Sequence, residues 1–332
     1  MRVLVVGGAG YIGSVTTQFL LREGHEVVIF DNMTRGHKQA VPPEAQLLLG
    51  DMGSEQDLVF AFEQGIDAVM HFAALSLVGE SVENPALYFK NNVANGLTLL
   101  DSMLAYNVKH FIFSSTCAVY GEPESSPITE NLPLSPANPY GESKLAFEKV
   151  LKWYSAAYGL KYVSLRYFNA AGASGAAGED HNPESHLIPL VLQVASGKRD
   201  KVTIYGDDYA TPDGTCVRDY IHVKDLAAAH LKALNHLVEK GENAIFNLGN
   251  GTGASVKEVI DVARQVTGKP IPSVVGARRV GDPPFLVASN EKIHRQLGWR
   301  PQCSDLKTII SDAWEWHQNH PEGYSIELEK QR

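Results

Sequence analysis

The stretch VLVVGGAGYIGS, residues 3–14, decides the fold. A short apolar run of strand length meets a cluster of glycines, and a segment of helical length follows. Gly8, Gly10 and Gly13 satisfy G-x-G-x-x-G, while Gly7, Gly10 and Gly13 satisfy the wider G-x-x-G-x-x-G. Both spacings meet one physical need: a turn without Cβ atoms lets the backbone approach a pyrophosphate, and the helix behind it offers free amides and the positive end of its dipole. Glycines alone are weak evidence; a strand before and a helix after them is the context that binds a dinucleotide. The next apolar run ends in VVIFDN, which puts Asp31 18 residues past Gly13. A carboxylate there takes the adenosine ribose hydroxyls and repels a 2′-phosphate, so NAD is expected over NADP, a preference that Arg35 weakens.

Outward from this loop the pattern repeats. Strand-like runs at 2–6, 26–30, 46–49, 68–72, 110–114 and 162–166 alternate with helix-like segments at 12–23, 55–64, 85–106 and 139–158. Continuous apolar strands separated by helices predict a doubly wound α/β fold, a parallel Rossmann sheet covered on both faces. After RYFNAAG the rhythm breaks into shorter, turn-rich segments. A soft boundary near residue 172 then divides a dinucleotide-binding domain, 1–171, from a smaller substrate-binding lobe, 172–332, with room for segments to interleave.

The bulk composition narrows the partners. A net charge of −9 argues against nucleic acid and anionic membrane as partners. No apolar run approaches the roughly 18 residues of a membrane span, and the N-terminus reads as a buried strand rather than a signal peptide. Cys117, Cys216 and Cys303 are far apart with no metal-site spacing. Reduced thiols, a cytoplasmic location and no resident metal are the expectations.

Tyr-x-x-x-Lys occurs twice, at Tyr140 with Lys144 and at Tyr220 with Lys224. The first copy lies in a helical segment, where four residues span about 6 Å. The second lies in RDYIHVKD, which reads as a strand ending at Val223 or Lys224, where the same spacing spans roughly 13 Å. Only the first pair is in cooperative range. It also has a partner 24 positions upstream, where the run FIFSST brings Ser114, Ser115 and Thr116 to a strand end. Gly50 and Asp51 close one candidate strand, and His71 to Ala74 close another, at the sheet edge where such folds bind ligands.

The ordered set GGAGYIG, DN, HFAA, SST followed by VYG, YGESK, RYFN and VRDYIHV resembles the extended short-chain dehydrogenase/reductase family, and the resemblance covers essentially the whole chain. More narrowly it is similar to the branch that inverts C4 of a UDP-hexose, exchanging UDP-galactose and UDP-glucose through a transient 4-keto sugar. That resemblance implies Tyr140 as catalytic base, Lys144 as its modulator and NAD ribose ligand, and Thr116 as the hydroxyl bridging substrate and phenol. For NAD it implies Gly7, Gly10, Tyr11, Ile12, Gly13, Asp31, Asn32, Asp51, Met52, Phe72, Ala73, Asn91, Lys144 and Phe168. For a UDP-sugar it implies Asn169, Leu187, Tyr205, Arg218, Arg279 and Asp282. The sequence departs from the family pattern at Ser76, where lysine is usual, and at His186, where asparagine is usual. A 4,6-dehydratase of the same family carries an Asp-Glu pair directly after the threonine, where this chain has Cys117 and Ala118. That dehydratase is the nearest enzymatic rival, another sugar-nucleotide 4-epimerase of the family is a further alternative, and a non-catalytic cofactor sensor would be expected to lack the tyrosine or the lysine. The resemblance also implies a homodimer formed through helices 85–106 and 139–158, with Leu145, Val150 and Trp153 serving either that face or simply the monomer core.

Overall fold

The computed structural model describes residues 1–279 and 281–324. In chain order the first half is β1 (Arg2–Val6), α1 (Tyr11–Arg22), β2 (Glu26–Asp31), β3 (Gln46–Leu49), α2 (Glu55–Phe62), β4 (Ala68–His71), α3 (Val78–Glu83), α4 (Pro85–Phe89), α5 (Asn95–Ala105), β5 (His110–Thr116), α6 (Pro139–Tyr158) and β6 (Lys161–Tyr167). Then come β7 (Asn169–Ala171), α7 (Leu187–Ala195), β8 (Val202–Tyr205), β9 (Val217–Arg218), β10 (Tyr220–His222), α8 (Val223–Lys240) and β11 (Ala244–Leu248). The chain closes with β12 (Ala254–Ser255), α9 (Val256–Thr267), β13 (Ser273–Gly276), β14 (Phe285–Leu286), α10 (Glu291–Leu297) and α11 (Leu306–Asn319).

Seven strands form one parallel sheet in the order β11-β6-β5-β4-β1-β2-β3. Alternate side chains of each strand serve opposite faces. Val3, Val5, Val27 and Ile29 pack with α8 residues Leu226, Leu234 and Leu237 on one side. Leu4, Val6, Val28 and Phe30 pack with Leu58, Leu99, Met103 and Phe147 from α2, α5 and α6 on the other. Because β1 lies between β2 and β4, the connections leaving β1 and β4 run to opposite faces and open a crevice at their carboxyl ends.

The second half does not stay apart from this sheet. β11 adds its seventh strand beside β6, and α8 covers one face. AIFNL, residues 244–248, was not among the expected strands; five residues flanked by polar turns carry too little pattern to separate strand from helix end. The remaining small sheets, with α7, α9 and α11, enclose a separate core around Val191, Ile204, Val259 and Ile309.

Two expectations need correction, and one that was open is decided. Helix 85–106 is interrupted by a π-helical turn over Lys90–Ala94, and a further short helix, α3, precedes it. The strand at Tyr220 ends at His222, and Lys224 already lies in α8, where its ammonium holds Asp312 at 2.6 Å. Leu145 is buried and Val150 packs against the core, whereas Trp153 is 72% exposed.

Candidate active site

Glycine is required in the loop after β1 for different reasons at different positions. Gly7 has φ +81°, and a Cβ there would lie 2.5 Å from the Ala73 amide nitrogen, so β1 and the end of β4 meet backbone to backbone. A Cβ on Gly13 would fall 2.3 Å from the Gly7 carbonyl oxygen, closing the helix onto the turn. Gly10 differs: a Cβ would meet only the Gly7 oxygen at 3.4 Å, so nothing in the protein itself fills that space. The cradle at the α1 N-terminus is therefore open where a pyrophosphate would lie, and the residues present fit a dinucleotide.

Asp31 at the end of β2 is buried and ties this loop to its neighbour. One carboxylate oxygen accepts from the Ala9 amide at 3.0 Å and the other from Met33 at 2.9 Å. Burial raises its pKa against the opposing pull of those amides, and each oxygen keeps a lone pair for a ribose hydroxyl. Arg35 is engaged elsewhere, donating to the Asn182 carbonyl at 2.8 Å and to Glu80 at 3.2 Å, which weakens its pull on a 2′-phosphate. Asn32 donates to Asp51 at 3.0 Å, and Asp51 accepts from Gly53 at 2.7 Å, with Met52 buried between them. Phe72 packs against His230 with ring centroids 4.8 Å apart, and Ser76 is exposed.

The end of β5 gathers the reacting groups. Asn138 caps α6, accepting from Gly141 at 2.9 Å, and Pro139 occupies its first turn, which fixes Tyr140 at the mouth of the helix. Burial pushes the Tyr140 phenol up to about 12; the hydrogen bond from Thr116 opposes this, and the nearby Cys117 adds to it. Lys144, one turn on, is 3% exposed. Its ammonium donates to the Ser114 carbonyl at 2.7 Å and sits 4.8 Å from the centre of the Phe113 ring. Burial pulls its pKa down to about 7, with Glu148 pulling the other way. Thr116 thus eases the phenol toward ionisation against its burial.

Behind this pair lies a buried network that the sequence reading missed. Glu148 accepts from Ser115 at 2.6 Å and from Arg166 at 2.9 and 2.5 Å, and Arg166 donates on to Tyr120 at 2.9 Å. Tyr120 in turn donates to Asn247 of β11 at 2.7 Å. Every member is satisfied, so the network fixes the end of β5 instead of leaving charge unpaired. Glu148 was legible as an i, i+4 partner of Lys144; Arg166 and Asn247, on other strands, gave no local signal. Nearby, Tyr167 pairs with the Ser114 hydroxyl. Asn91 lies in the π-helical turn, where Asn92 bridges Leu75 to Ser143 of α6.

Most of the expected substrate residues come from the second lobe. Arg218 pairs with Asp282 and donates to the Val217 carbonyl at 2.7 Å. Its charge reaches Cys117, the residue after Thr116. Arg279 stacks over Tyr205 at 4.1 Å. Asn169 opens β7, and Leu187 is the first residue of α7, packed on the second core. Tyr220 is buried near Arg218 and Asp282, away from any lysine contact.

A doubly wound sheet with a glycine cradle at its crevice, and a tyrosine, threonine and lysine gathered at the end of β5, defines a nucleotide-dependent enzyme of the short-chain dehydrogenase/reductase class. The chain belongs to the NAD dependent epimerase/dehydratase family, which it matches over residues 3–249, and within it to the UDP-glucose 4-epimerases. It is 56% identical to the UDP-glucose 4-epimerase of Halalkalibacterium halodurans over 98% of both chains. The Brucella ovis UDP-glucose 4-epimerase, solved in complex with NAD, is 48% identical and superposes with a TM-score of 0.92 over 95% of this chain and 97% of that one. The Bifidobacterium longum UDP-glucose 4-epimerase, solved with NAD+ and UDP, gives 40% identity and a TM-score of 0.91 over 97% of this chain and all of the other.

Proposed function

We propose that this protein interconverts UDP-galactose and UDP-glucose by inverting C4 of the hexose, with Tyr140 as the base and NAD retained through the cycle. The observation that carries this reading is the buried Lys144 ammonium, held on the Ser114 carbonyl one helical turn from Tyr140, together with a cradle open at Gly10. Gly7, Gly10, Tyr11, Ile12 and Gly13 hold the pyrophosphate; Asp31 and Asn32 take the adenosine ribose, and Asp51 and Met52 flank the adenine. Phe72, Ala73, Asn91 and Phe168 wall the nicotinamide side, and Lys144 takes its ribose. Bound there, NAD would supply the hydride acceptor and donor for C4 and, in its oxidised form, positive charge beside the phenol.

A phenol at about 12 stands some five units above neutral pH, roughly 7 kcal/mol between its states. Tyr140 therefore needs cationic neighbours to take the 4-hydroxyl proton, and a protonated Lys144 supplies one. Thr116 steers the sugar hydroxyl and phenol together. The 4-keto sugar then turns over while Arg218 and Arg279 hold the diphosphate, Asp282 the ribose, and Leu187 and Tyr205 the uracil, with Asn169 on the sugar side. A 4,6-elimination lacks its acid and base: Ala118 has no titratable group, and burial pushes the Cys117 thiol up to about 12.

The protein acts in the cytoplasm as a homodimer in this reading. Its three cysteines are unpaired, and no helix among the described residues is long and apolar enough to cross a membrane. Exposed Trp153 and Tyr158 of α6, with Tyr106 following α5, offer an apolar face for a second copy. Incubating the purified protein with UDP-galactose, without added oxidant or reductant, and separating the products by chromatography is the test. UDP-glucose is expected; a 4-keto-6-deoxy sugar, or NADH accumulating with an oxidised sugar, would sink the reading.

A further inference from the structure

The loop between β7 and α7 carries four side chains that the epimerase chemistry does not use. One donor atom each from Glu179, His181, Glu184 and His186 lies within 4.8 Å of the others. His186 Nδ1 is 2.8 Å from Glu179 Oε1 and 3.1 Å from Glu184 Oε1. His181 Nδ1 is 3.2 Å from the same Glu179 oxygen and 3.7 Å from Glu184 Oε2. Both rings present the same nitrogen to one point. A tetrahedral ion with bonds of about 2.0–2.1 Å requires ligand-to-ligand edges of roughly 3.4 Å; the edges from Glu179 Oε1 to the two nitrogens, 2.8 and 3.2 Å, and the nearest Glu184 oxygen to each, 3.1 and 3.7 Å, bracket that length, with one Glu184 oxygen left to turn onto the ion.

Burial makes the question of charge unavoidable. The Glu179 and Glu184 side chains are 6% and 7% exposed, and among the described residues neither pairs with a lysine or arginine. Two carboxylates at that depth require compensating positive charge. Protonated imidazoles are one source, and the carboxylates do draw the two histidines upward. Yet His181 Nδ1 is buried without a hydrogen bond of acceptable geometry, although two carboxylates lie close by. An N–H would be expected to align with one oxygen; a nitrogen lone pair shared with those oxygens around a cation has no such need.

We propose that Glu179, His181, Glu184 and His186 form a closed four-ligand site for a divalent transition ion of the zinc type. Two imidazoles and two carboxylates are a borderline donor set suited to zinc, with no protein-free position required for chemistry, so the site is structural. Its place gives it a purpose. The same loop is stitched to the cofactor half: Tyr11 donates to the Gly172 carbonyl at 2.6 Å, the Tyr11 ring meets His181 edge-on, and Arg35 donates to the Asn182 carbonyl. The loop then runs directly into Leu187 and α7. An ion clamps this seam between the glycine turn and the substrate lobe, and gives His186 a role where the family pattern has asparagine.

The full-length protein, stripped with a chelator and desalted, would be titrated with Zn2+ by calorimetry, with bound metal counted by mass spectrometry and thermal stability recorded alongside. One ion per chain and a raised Tm are expected in the wild type, with binding at least 100-fold weaker in His181→Gln and in Glu184→Gln. Circular dichroism and retained NAD check that the variants fold. Should either variant misfold, Co2+ in the stripped wild type decides, since the four-ligand site predicts the intense visible bands of tetrahedral cobalt. Substoichiometric zinc, stoichiometric zinc retained in both folded variants, or an octahedral cobalt spectrum would each overturn the site.

Discussion

A phenol raised by burial and a lysine lowered by it stand one turn apart, and each has its strongest contact with something other than its partner. Tyr140→Phe removes a single oxygen at the mouth of α6, so fold and UDP binding should persist. Turnover should fall ~100-fold or more, the scale of a lost proton-transfer group; near-normal turnover in this variant would mean that another residue is the base. Lys144 yields a prediction in stability. Its folded pKa, about 7, lies below the unfolded value near 10.5. Between the two the unfolded chain binds more protons, so wild-type stability contributed by this group rises with pH across that window and is least below pH 7. Lys144→Met lacks the term. In NAD-free protein it should melt above wild type at pH 6.5, and the margin should shrink by pH 9; a margin constant with pH would refute the assigned burial. At this scale spacing singled out the Tyr140–Lys144 pair and a strand end pointed to Ser114, Ser115 and Thr116, because helix geometry and a strand end are local; the choice of Thr116 among them rests on the family resemblance. The further partners Arg166 and Asn247 were not legible, since strands β5, β6 and β11 bring them together only in the folded sheet.

The glycine turn is the element that the sequence described most fully, because its requirements are steric and nearest-neighbour. Its three positions nevertheless separate by cause. Gly13→Ala drives a Cβ to 2.3 Å from a backbone oxygen that cannot move aside cheaply, so it should cost at least the ~1–3 kcal/mol of an overpacked core and lose NAD as well. Gly10→Ala meets nothing closer than 3.4 Å and should leave the melting temperature of NAD-free protein nearly unchanged while sharply weakening NAD binding. Equal loss of stability in the two variants, or full NAD retention by Gly10→Ala, would remove the distinction. Less was legible where an element depends on its setting. The π-helical turn at Lys90–Ala94 inserts an irregularity that periodicity reads straight through, and the Tyr220 strand stops at His222 because the His222 side chain accepts from Lys224 and opens α8.

Across the whole molecule, the proposed cofactor cradle and the proposed diphosphate-binding residues draw on different sheets. The NAD cradle belongs to the seven-stranded sheet, whereas Arg218 rides on β9 in a three-stranded sheet with β12 and β14. The fold class followed from the alternation of apolar runs, but the return of α8 and β11 to the first sheet did not, since nothing local marks a strand for a partner 80 residues earlier. This arrangement predicts that the two binding functions separate. Arg218→Ala deletes a charged donor facing the expected diphosphate, worth ~1.5–3 kcal/mol as a charge-assisted hydrogen bond, so the KM for UDP-galactose should rise roughly 10- to 100-fold. Bound NAD and its content per chain should not change, because among the described residues the Arg218 hydrogen bonds run to Val217 and Asp282 and not to the glycine turn. Asp282 loses its partner in that variant, so Arg218→Lys serves as the control, restoring charge without the two-pronged geometry and recovering only part of the loss. Unchanged KM in Arg218→Ala would detach Arg218 from the substrate, and parallel loss of NAD would show that the two layers are not independent.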